Sequence, residues 1–326
     1  MYKYASVAAG CLLLFEIVAS ANVGVSELVD KYRETQDKLQ QSFITKLEAT
    51  STFSYKIGPK KNSGQKHELI ELRFDGVRNA TRHTRWGDVK INMTAFRRDE
   101  ALYKSYLWDG EYYTSYLRAS SKYPDSVIRQ KRFRDGHFAL RCRDKELNGF
   151  FAYDKQRVDS IISKAHKISV RGEMETVGEA GCYVIDAITN RGKYSLWIDP
   201  EHGFNIARAM VWKKEHHLFP KKPPSKNYVS LDVLENVRFE RKEGIWIPVE
   251  ADVKRNRKSP NGDINNEEVH VKRTLVELDP DHEALGSFLP DDIPNGAKVR
   301  VNASRVPYLW LDGKHVLDSD RSRSRK

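Results

Sequence analysis

The sequence lacks the short motifs that mark common catalytic and metal centres. It has no Gly-x-Ser-x-Gly nucleophile elbow and no complete phosphate-binding Gly-x-x-x-x-Gly-Lys-Ser/Thr loop. His67-Glu68 and His282-Glu283 each begin like a His-Glu-x-x-His zinc site, but the second histidine is missing from both. His216-His217 are adjacent, so on a strand they would point to opposite faces and not share a metal. We therefore predict a protein without enzymatic activity, bound metal or cofactor.

Cysteine is also scarce, with three residues in the 326-residue chain. No Cys-x-x-Cys pair occurs, so the sequence indicates neither a thioredoxin-type redox site nor a zinc ribbon. One cysteine, Cys11, lies in the N-terminal leader, which leaves Cys142 and Cys182. In an exported chain this pair is a candidate disulfide, although spacing alone cannot show that the two residues are close. Two buried thiols are the alternative.

Long hydrophobic runs are missing except at the N-terminus. Met1–Ala21 combines an early cation, an apolar run and the small residues Ala19-Ser20-Ala21, which is the pattern of a cleaved signal peptide. Glu16 interrupts the run, which is too short for a membrane span of ~20 residues. We predict cleavage after Ala21 and export to the periplasm or cell envelope. Lipidation at Cys11 and a retained N-terminal anchor or first helix are the alternatives.

Acidic residues are outnumbered by basic ones. The chain has 56 Lys and Arg against 45 Asp and Glu, which gives a net charge of +11. This balance favours anionic partners such as phospholipid headgroups or acidic envelope polymers, whereas export argues against nucleic acid. Most cations are scattered singly along polar strand faces, so solubility explains many of them. An apolar content of 39% with 10% aromatics indicates a folded chain.

Two segments show helical periodicity. The segment Val25–Ala49 begins as an amphipathic helix, and a shorter insertion follows in the middle of the chain. Ser26 and Asp154 are placed near the two starts and are predicted to cap them. The apolar residues at helical spacing are Val25, Leu28, Val29, Tyr32, Leu39, Phe43 and Leu47 in the first segment, and Val158, Ile161, Ile162 and Ala165 in the second.

The rest of the chain alternates with a period of two. Runs such as Ile70–Phe74, Val229–Phe239 and Ile245–Val253 place apolar residues at every second position, broken only by Glu235 in the second run. Such alternation is typical of an antiparallel sheet with one solvated face. Asp-Gly at 75–76, 109–110 and 312–313, together with Asn-Gly at 261–262, predicts tight turns between strands. These residues suit such turns because both central positions accept positive φ.

No repeat of fixed period and no long linker divides the chain. We predict a signal peptide over 1–21, one β domain over 22–300 and a C-terminal extension over 301–326. The extension ends in the basic tail Arg321–Lys326, which is predicted to be disordered. Phe219–Ser225, rich in Lys and Pro, is predicted to form a flexible surface loop.

One segment resembles a known family. Lys193–Phe204 reads KYSLWIDPEHGF, a strand ending in Leu-Trp-Ile-Asp-Pro before a Gly-containing turn. It looks like the central hairpin of the LolA/LolB-type outer-membrane lipoprotein carriers. Gly244–Pro248 resembles that family's Gly-x-Trp-x-Pro strand, and the early helix, long meander and inserted helix are similar to its plan. The resemblance covers the chain from about Ser26 to Asp292.

The resemblance implies a mainly β (α+β) fold. It implies one strongly curved antiparallel sheet, or incomplete β-barrel, whose apolar concave side is covered by the N-terminal helix and the inserted helical segment. It also implies a non-enzymatic carrier that binds lipid acyl chains or a lipoprotein. The expected groove residues, for which ordinary core is the alternative, are Tyr194, Leu196, Ile198, Ile245, Ile247 and Val249.

Two other classes of function stay open. An envelope or surface protein could hold acidic polymers or an anionic membrane surface through its basic faces, and its binding would then be sensitive to salt. A hydrolase with an unrecognised site would need a cleft that holds titratable groups of perturbed pKa.

Overall fold

The computed structural model describes residues 23–87, 90–91, 94–95, 101–118, 125–131, 144–152, 154–214, 217, 228–259, 261–302, 304 and 306–318. The predicted leader with Cys11, the Phe219–Ser225 loop and the Arg321–Lys326 tail lie outside these residues, as does Cys142. Cys182 is buried beside Val184 and Trp197. The disulfide and the division into domains stay predictions.

Alternation of apolar and polar residues produces a fold made mostly of strands. The helices are α1 (Val25–Leu39) and α2 (Val158–Ile162). The strands are β1 (Phe43–Ile57), β2 (Lys60–Phe74), β3 (Asn79–Gly87), β4 (Lys90–Ile91), β5 (Thr94–Ala95), β6 (Leu102–Trp108), β7 (Tyr113–Arg118), β8 (Ser126–Gln130), β9 (Lys167–Val170), β10 (Glu175–Val177), β11 (Ala180–Thr189), β12 (Gly192–Asp199), β13 (Asn205–Lys214), β14 (Val229–Lys242), β15 (Ile245–Lys258), β16 (Ile264–Leu278), β17 (Lys298–Val301), β18 (Tyr308–Leu311) and β19 (Lys314–Leu317).

Seventeen strands form one sheet, and β4 and β5 pair separately. The order across the sheet is β11-β12-β13-β14-β15-β16-β1-β2-β3-β6-β7-β8-β17-β18-β19, with β9 and β10 both paired to β11. The pairing of β8 with β17 is parallel, whereas the neighbours in the rest of this order are antiparallel. The sheet is curved and does not close. The predicted mainly β fold, an open curved sheet with a helical cover, is confirmed.

The middle of the sheet consists of five long strands, β14, β15, β16, β1 and β2, each of 14 or 15 residues. At ~3.3 Å per residue such strands are about 50 Å long. The pairing shifts register between Lys46 and Leu47 on β1 and between Glu235 and Arg238 on β14. An extra residue in one strand bends and twists it, so these irregularities contribute to the curvature.

Helix α1 is shorter than the sequence pattern suggested. It ends at Leu39, and Phe43 and Leu47 lie on β1. These two residues are four positions apart, which fits a helix and also one face of a strand, so periodicity alone could not separate the two. The predicted cap is also wrong: Gly24 precedes the helix, and the Ser26 hydroxyl donates to Asp30.

The turns predicted at the Asp-Gly pairs form, but the two described below are stabilised in different ways. Asp312 and Gly313 both have positive φ, 47° and 77°, as expected for a two-residue hairpin turn. Gly110 also has positive φ, whereas Asp109 does not. Instead, the Asp109 carboxylate accepts hydrogen bonds from the backbone N–H groups of Glu111 and Tyr112, at 2.9 and 2.7 Å. This aspartate stabilises its loop through its side chain.

One face of the sheet, here called the inner face, is covered by α1 and by the segment 144–165, which contains α2. The main core lies between them, built from α1 residues such as Leu28, α2 residues such as Ile161, and strand residues such as Leu196. None of the helices in the part of the chain described is long and apolar enough to cross a membrane.

Candidate functional site

The six side chains predicted to line a groove lie in two buried clusters. The three on β12 are each 1% exposed and belong to the main core. On β15, two are 1% and 2% exposed and the third is partly buried; these three pack with Leu39 of α1 and Val276 of β16. The residues are Tyr194, Leu196 and Ile198 on β12, and Ile245, Ile247 and Val249 on β15. They fill the interior here, and a ligand groove lined by them stays a prediction.

An apolar cleft of about 490 Å³ opens elsewhere, beside this core. It lies where the C-terminal end of α1 faces β1–β3 and the segment 144–157. Its walls and rim are formed by Asp37, Gln40, Gln41, Phe43, Leu72, Phe74, Asn79, Asn148, Phe150 and Arg157. None of the six predicted groove residues is among them.

The walls of the cleft come from strand ends and from the inserted segment. Phe43 begins β1 and is paired with Phe74 at the end of β2. Their rings are tilted by 46° with centroids 5.8 Å apart, a favourable aromatic arrangement. Leu72 lies two positions before Phe74, so both point to the same side of the strand. Phe150 comes from the inserted segment and contributes a third ring to the lining.

Part of the cleft lining is polar, and several of these groups are paired. Gln40 of α1 donates from Nε2 to the backbone oxygen of Asn148 at 3.2 Å. Arg157 forms ion pairs with Asp37 at 2.6 Å and with Asp159 at 2.7 Å. Burial by itself lowers the pKa of Arg157. The hydrogen bonds to Asp159 and Asp37 together raise this pKa by more than burial lowers it, so the net shift is upward. The guanidinium therefore stays charged and links the insertion to α1.

A close approach between backbone and helix brings the inserted segment against α1. Gly149 has φ +78°, and a Cβ built on it would lie 2.0 Å from the hydroxyl of Tyr32. A side chain at this position would therefore clash as well as strain the backbone. This glycine lets the segment lie close to α1, with Asn148 and Phe150 on either side of it at the cleft.

Buried ion pairs attach the same segment to the sheet. Glu146 is paired with Arg255 of β15 at 2.8 Å, and Asp144 with Arg273 of β16 at 2.7 Å. Burial alone raises the pKa of Glu146, but the charges of Arg255 and Lys145 outweigh it and lower that pKa below its ordinary value. The carboxylate is thus held in its charged form.

A further buried pair holds the segment near α2. Asp154, predicted to cap this helix, does not: Arg157 precedes Val158, and no side chain caps the helix. Asp154 instead accepts hydrogen bonds from Lys213 Nζ on β13 and from the Tyr194 hydroxyl, the latter at 2.8 Å. The carboxylate is 2% exposed and needs these partners inside the protein.

Sequence reasoning missed these pairs, although a signal was present. Arg255 continues the inward positions of Val253 and Ala251, and Lys213 continues those of Val211 and Ala209. A cation in phase with a buried face needs an acidic partner. The acidic residues Asp144, Glu146 and Asp154 of the inserted segment supply such partners.

Comparison with known proteins gives similarity in fold at low identity. No protein-family model matches the chain, and no curated protein matches its sequence. A DUF1329 family protein from Desulfovibrio piger is similar at 13% identity, with a TM-score of 0.35, covering 79% of this chain and 94% of that one. A domain described as an outer membrane lipoprotein-sorting protein from Vibrio parahaemolyticus is similar at 10% identity, with a TM-score of 0.37, covering 79% and 93%.

A LolA superfamily protein from Nitrosomonas europaea is similar at 11% identity, with a TM-score of 0.32, covering 83% of this chain and all of that one. The resemblance that Lys193–Phe204 and Gly244–Pro248 suggested thus recurs among solved structures. With TM-scores below 0.5, this likeness carries no statement about function, which has to come from the cleft itself.

Proposed function

We propose that the protein is a non-enzymatic carrier that binds the acyl chain of a lipid or lipoprotein in the cleft beside α1. The observation that supports this most is the lining: three phenylalanines and a leucine contribute its apolar surface. Asn79, which is paired with Phe74, is the one buried polar side chain among the described lining residues. The cleft volume of about 490 Å³ is within the range of ligand pockets. Each CH₂ removed from water contributes about 0.8 kcal/mol, so six contribute about 5 kcal/mol.

The polar rim favours a carrier over an enzyme. Its charged side chains, Asp37 and Arg157, are paired with each other, which leaves them suited to closing the mouth. Among the described residues that line the cleft there is no serine, threonine, cysteine or histidine. The leader-like segment Met1–Ala21 supports an extracytoplasmic location, in the periplasm or cell envelope.

The links across the cleft differ in strength, which suits uptake and release. The mouth is joined by the Arg157–Asp37 pair, in which the Asp37 side chain is 56% exposed. The Arg157 side chain is 13% exposed, so the pair is solvated on the Asp37 side only. A pair with one solvated partner is weaker than a fully buried one, and separating it costs less. The base of the segment is held by the buried Glu146–Arg255 and Asp144–Arg273 pairs. The rim can therefore open while the base stays attached to the sheet.

A charge placed on the wall should abolish acyl binding without unfolding the protein. We expect Phe43→Asp to weaken binding of a dansyl-labelled fatty acid by about 100-fold, because the bound chain would desolvate the new carboxylate. Phe43 is only partly buried, so its carboxylate stays hydrated in the empty cleft. Fluorescence titration measures the affinity, and thermal unfolding shows whether the fold is kept.

Leu69→Asp is the matched control. Leu69 is 45% exposed and alternates on β2 with Ile70, so it lies on the opposite face of the strand from the main core. The substitution adds the same charge as Phe43→Asp, and we expect the affinity for the dansyl-labelled fatty acid to stay within about twofold of that of the unchanged protein. Equal affinity of the Phe43 variant and the control would contradict the proposal. Salt-sensitive binding of an acidic polymer, without acyl binding, would favour the surface-protein alternative.

A further inference from the structure

The long central strands extend past the main core at the end of the sheet that is away from the cleft. Every residue at positions 52–57 of β1 and 60–65 of β2 is exposed or half-buried, whereas Leu47 and Ala49, nearer the cleft, belong to the core. The β1–β2 turn lies next to the β15–β16 turn, because the backbone N–H of Gly58 donates to the Asp263 carboxylate at 2.9 Å. We call these two turns with their flanking residues, 56–61 and 257–264, the tip region.

Exposed apolar side chains stand in the tip region. Ile57 ends β1 and is 56% exposed, and Ile264 begins β16 and is 38% exposed. The two are neighbours, since Ile264 is directly paired with Lys56. Tyr55 is half-buried beside them, and its hydroxyl accepts a hydrogen bond from Asn62 at 2.8 Å. Isoleucine is among the most frequently buried residues, so two exposed isoleucines on adjacent turns indicate a contact surface.

Lysines surround these apolar side chains. The tip region contains five cations and one acid, Asp263. Lys56 and Lys61 are directly paired across β1 and β2, and among the residues that the structure describes neither forms an ion pair with an acid. Like charges directly opposite each other destabilise a strand pair. An anion bound between these two lysines would therefore relieve their repulsion.

We infer that the tip region docks on the surface of an anionic phospholipid bilayer. The lysines bind the headgroup phosphates, and Ile57 and Ile264 enter the boundary between headgroups and acyl chains. A soluble acidic polymer would use the lysines but would gain nothing from exposed isoleucines, so the combination favours a membrane. The inference does not depend on the acyl cleft. At ~3.3 Å per residue, Phe43 of the cleft lies about 45 Å along β1 from Ile57.

Co-sedimentation with vesicles tests this docking surface. The full chain is mixed with sucrose-loaded vesicles that contain dioleoyl phosphatidylglycerol and dioleoyl phosphatidylcholine in equal parts, or phosphatidylcholine alone. We expect an affinity about tenfold higher for the anionic vesicles, because lysines close to an anionic surface are attracted to it. Raising the salt concentration should reduce this preference, because salt screens exposed charges.

Two variants separate the charged part of the surface from the apolar part. The double variant Lys56→Gln with Lys61→Gln should bind the anionic vesicles about tenfold more weakly, since it removes the paired cations. Ile57→Gln should also weaken binding by about tenfold, because it removes the apolar side chain that enters the bilayer. All three positions are exposed, so thermal unfolding should change little. The affinity for the dansyl-labelled fatty acid should stay within about twofold in both variants.

Matched controls make the same exchanges elsewhere on the surface. Leu69 is 45% exposed on β2 and lies about 30 Å along the strand from Lys60. Lys164 and Lys167 are exposed, the first after α2 and the second at the start of β9, which is an edge strand. Leu69→Gln, and the double variant Lys164→Gln with Lys167→Gln, should leave vesicle binding within about twofold of that of the unchanged protein.

The outcomes separate this inference from the proposed function. Equal binding of both kinds of vesicle, or equal loss in the tip and control lysine variants, would overturn the docking surface. A loss in the tip lysine variant with none in Ile57→Gln would show electrostatic attraction alone, as for a soluble acidic polymer, and would also overturn it. Phe43→Asp should bind vesicles like the unchanged protein. Failure of the unchanged protein to bind the dansyl-labelled fatty acid would overturn the acyl cleft and leave the docking surface standing.

Discussion

Replacing Arg255 by methionine should lower the free energy of unfolding by about 3–5 kcal/mol. Arg255 is 4% exposed and is paired with Glu146 at 2.8 Å and with Glu267 at 2.9 Å. Methionine fills a similar space but leaves the Glu146 carboxylate, 1% exposed, without its main counter-charge. The cost therefore comes chiefly from a charge buried without its partner. Urea unfolding followed by circular dichroism measures it.

Arg238→Met is the control for the loss of an arginine. The Arg238 side chain is 48% exposed, and its pairs with Glu240 and Glu250 lie at the surface. We expect this variant to lose less than about 1 kcal/mol. Similar losses in the two variants would mean that the inserted segment is not held by the buried pair.

The cost of Arg255→Met should shrink in acid. The pKa of Glu146 lies below its ordinary 4.5 because the charges of Arg255 and Lys145 outweigh burial, so its stabilising effect is present above that pH and lost below it. Without Arg255, burial dominates and the pKa of Glu146 should rise, so the variant gains stability as the carboxylate takes up a proton. The difference between the two proteins is therefore largest near neutral pH. A difference that grows on acidification would contradict this account of the pair.

Leu196→Asp should unfold the protein at ordinary temperature, with a loss above about 4 kcal/mol. Leu196 is 1% exposed, lies on β12 between Ile185 and Ala209, and belongs to the main core. The substitution removes a buried aliphatic side chain from the core cluster and puts a carboxylate in its place. Circular dichroism and thermal unfolding measure the loss.

This variant also decides what the sequence-predicted groove residues do. The control is Leu69→Asp, the same exchange at a position that is 45% exposed, which should cost less than about 1 kcal/mol. A Leu196 variant that stays folded but no longer binds the dansyl fatty acid would show that the β12 side chains line a groove. Unfolding would show that the β12 side chains are part of the core. The cleft beside Phe43 is then the acyl site that the structure offers.

Much of the fold could be predicted because its signals are local. Alternation along segments such as Val229–Phe239 and Ile245–Val253 identified the strands, and Asp-Gly pairs identified their turns. The end of α1 could not be predicted in the same way, since Phe43 and Leu47 satisfy both helical and strand spacing. The joining of β1 to β16 brings together residues more than 200 positions apart, for which one sequence has no local signal.

The cleft was harder to predict than the fold. Phe43, Phe74 and Phe150 each look like an ordinary apolar residue at the edge of an element. They form a wall because β1 pairs with β2 and because Gly149 brings the inserted segment against α1. The apolar faces of β12 and β15 gave a stronger local signal, but these faces are covered by helices. Apolar alternation therefore identifies an inner face without showing which part of it is open.

Lipid analysis of the full-length chain tests the central claim, an acyl chain bound in the cleft, most directly. The protein is purified without detergent, extracted with organic solvent and analysed by mass spectrometry beside Phe43→Asp and Leu69→Asp. We predict near-stoichiometric lipid or lipoprotein acyl species with the unchanged protein and with Leu69→Asp, and a large loss with Phe43→Asp. An unchanged protein that is free of lipid, and stays so after incubation with liposomes, would contradict the account.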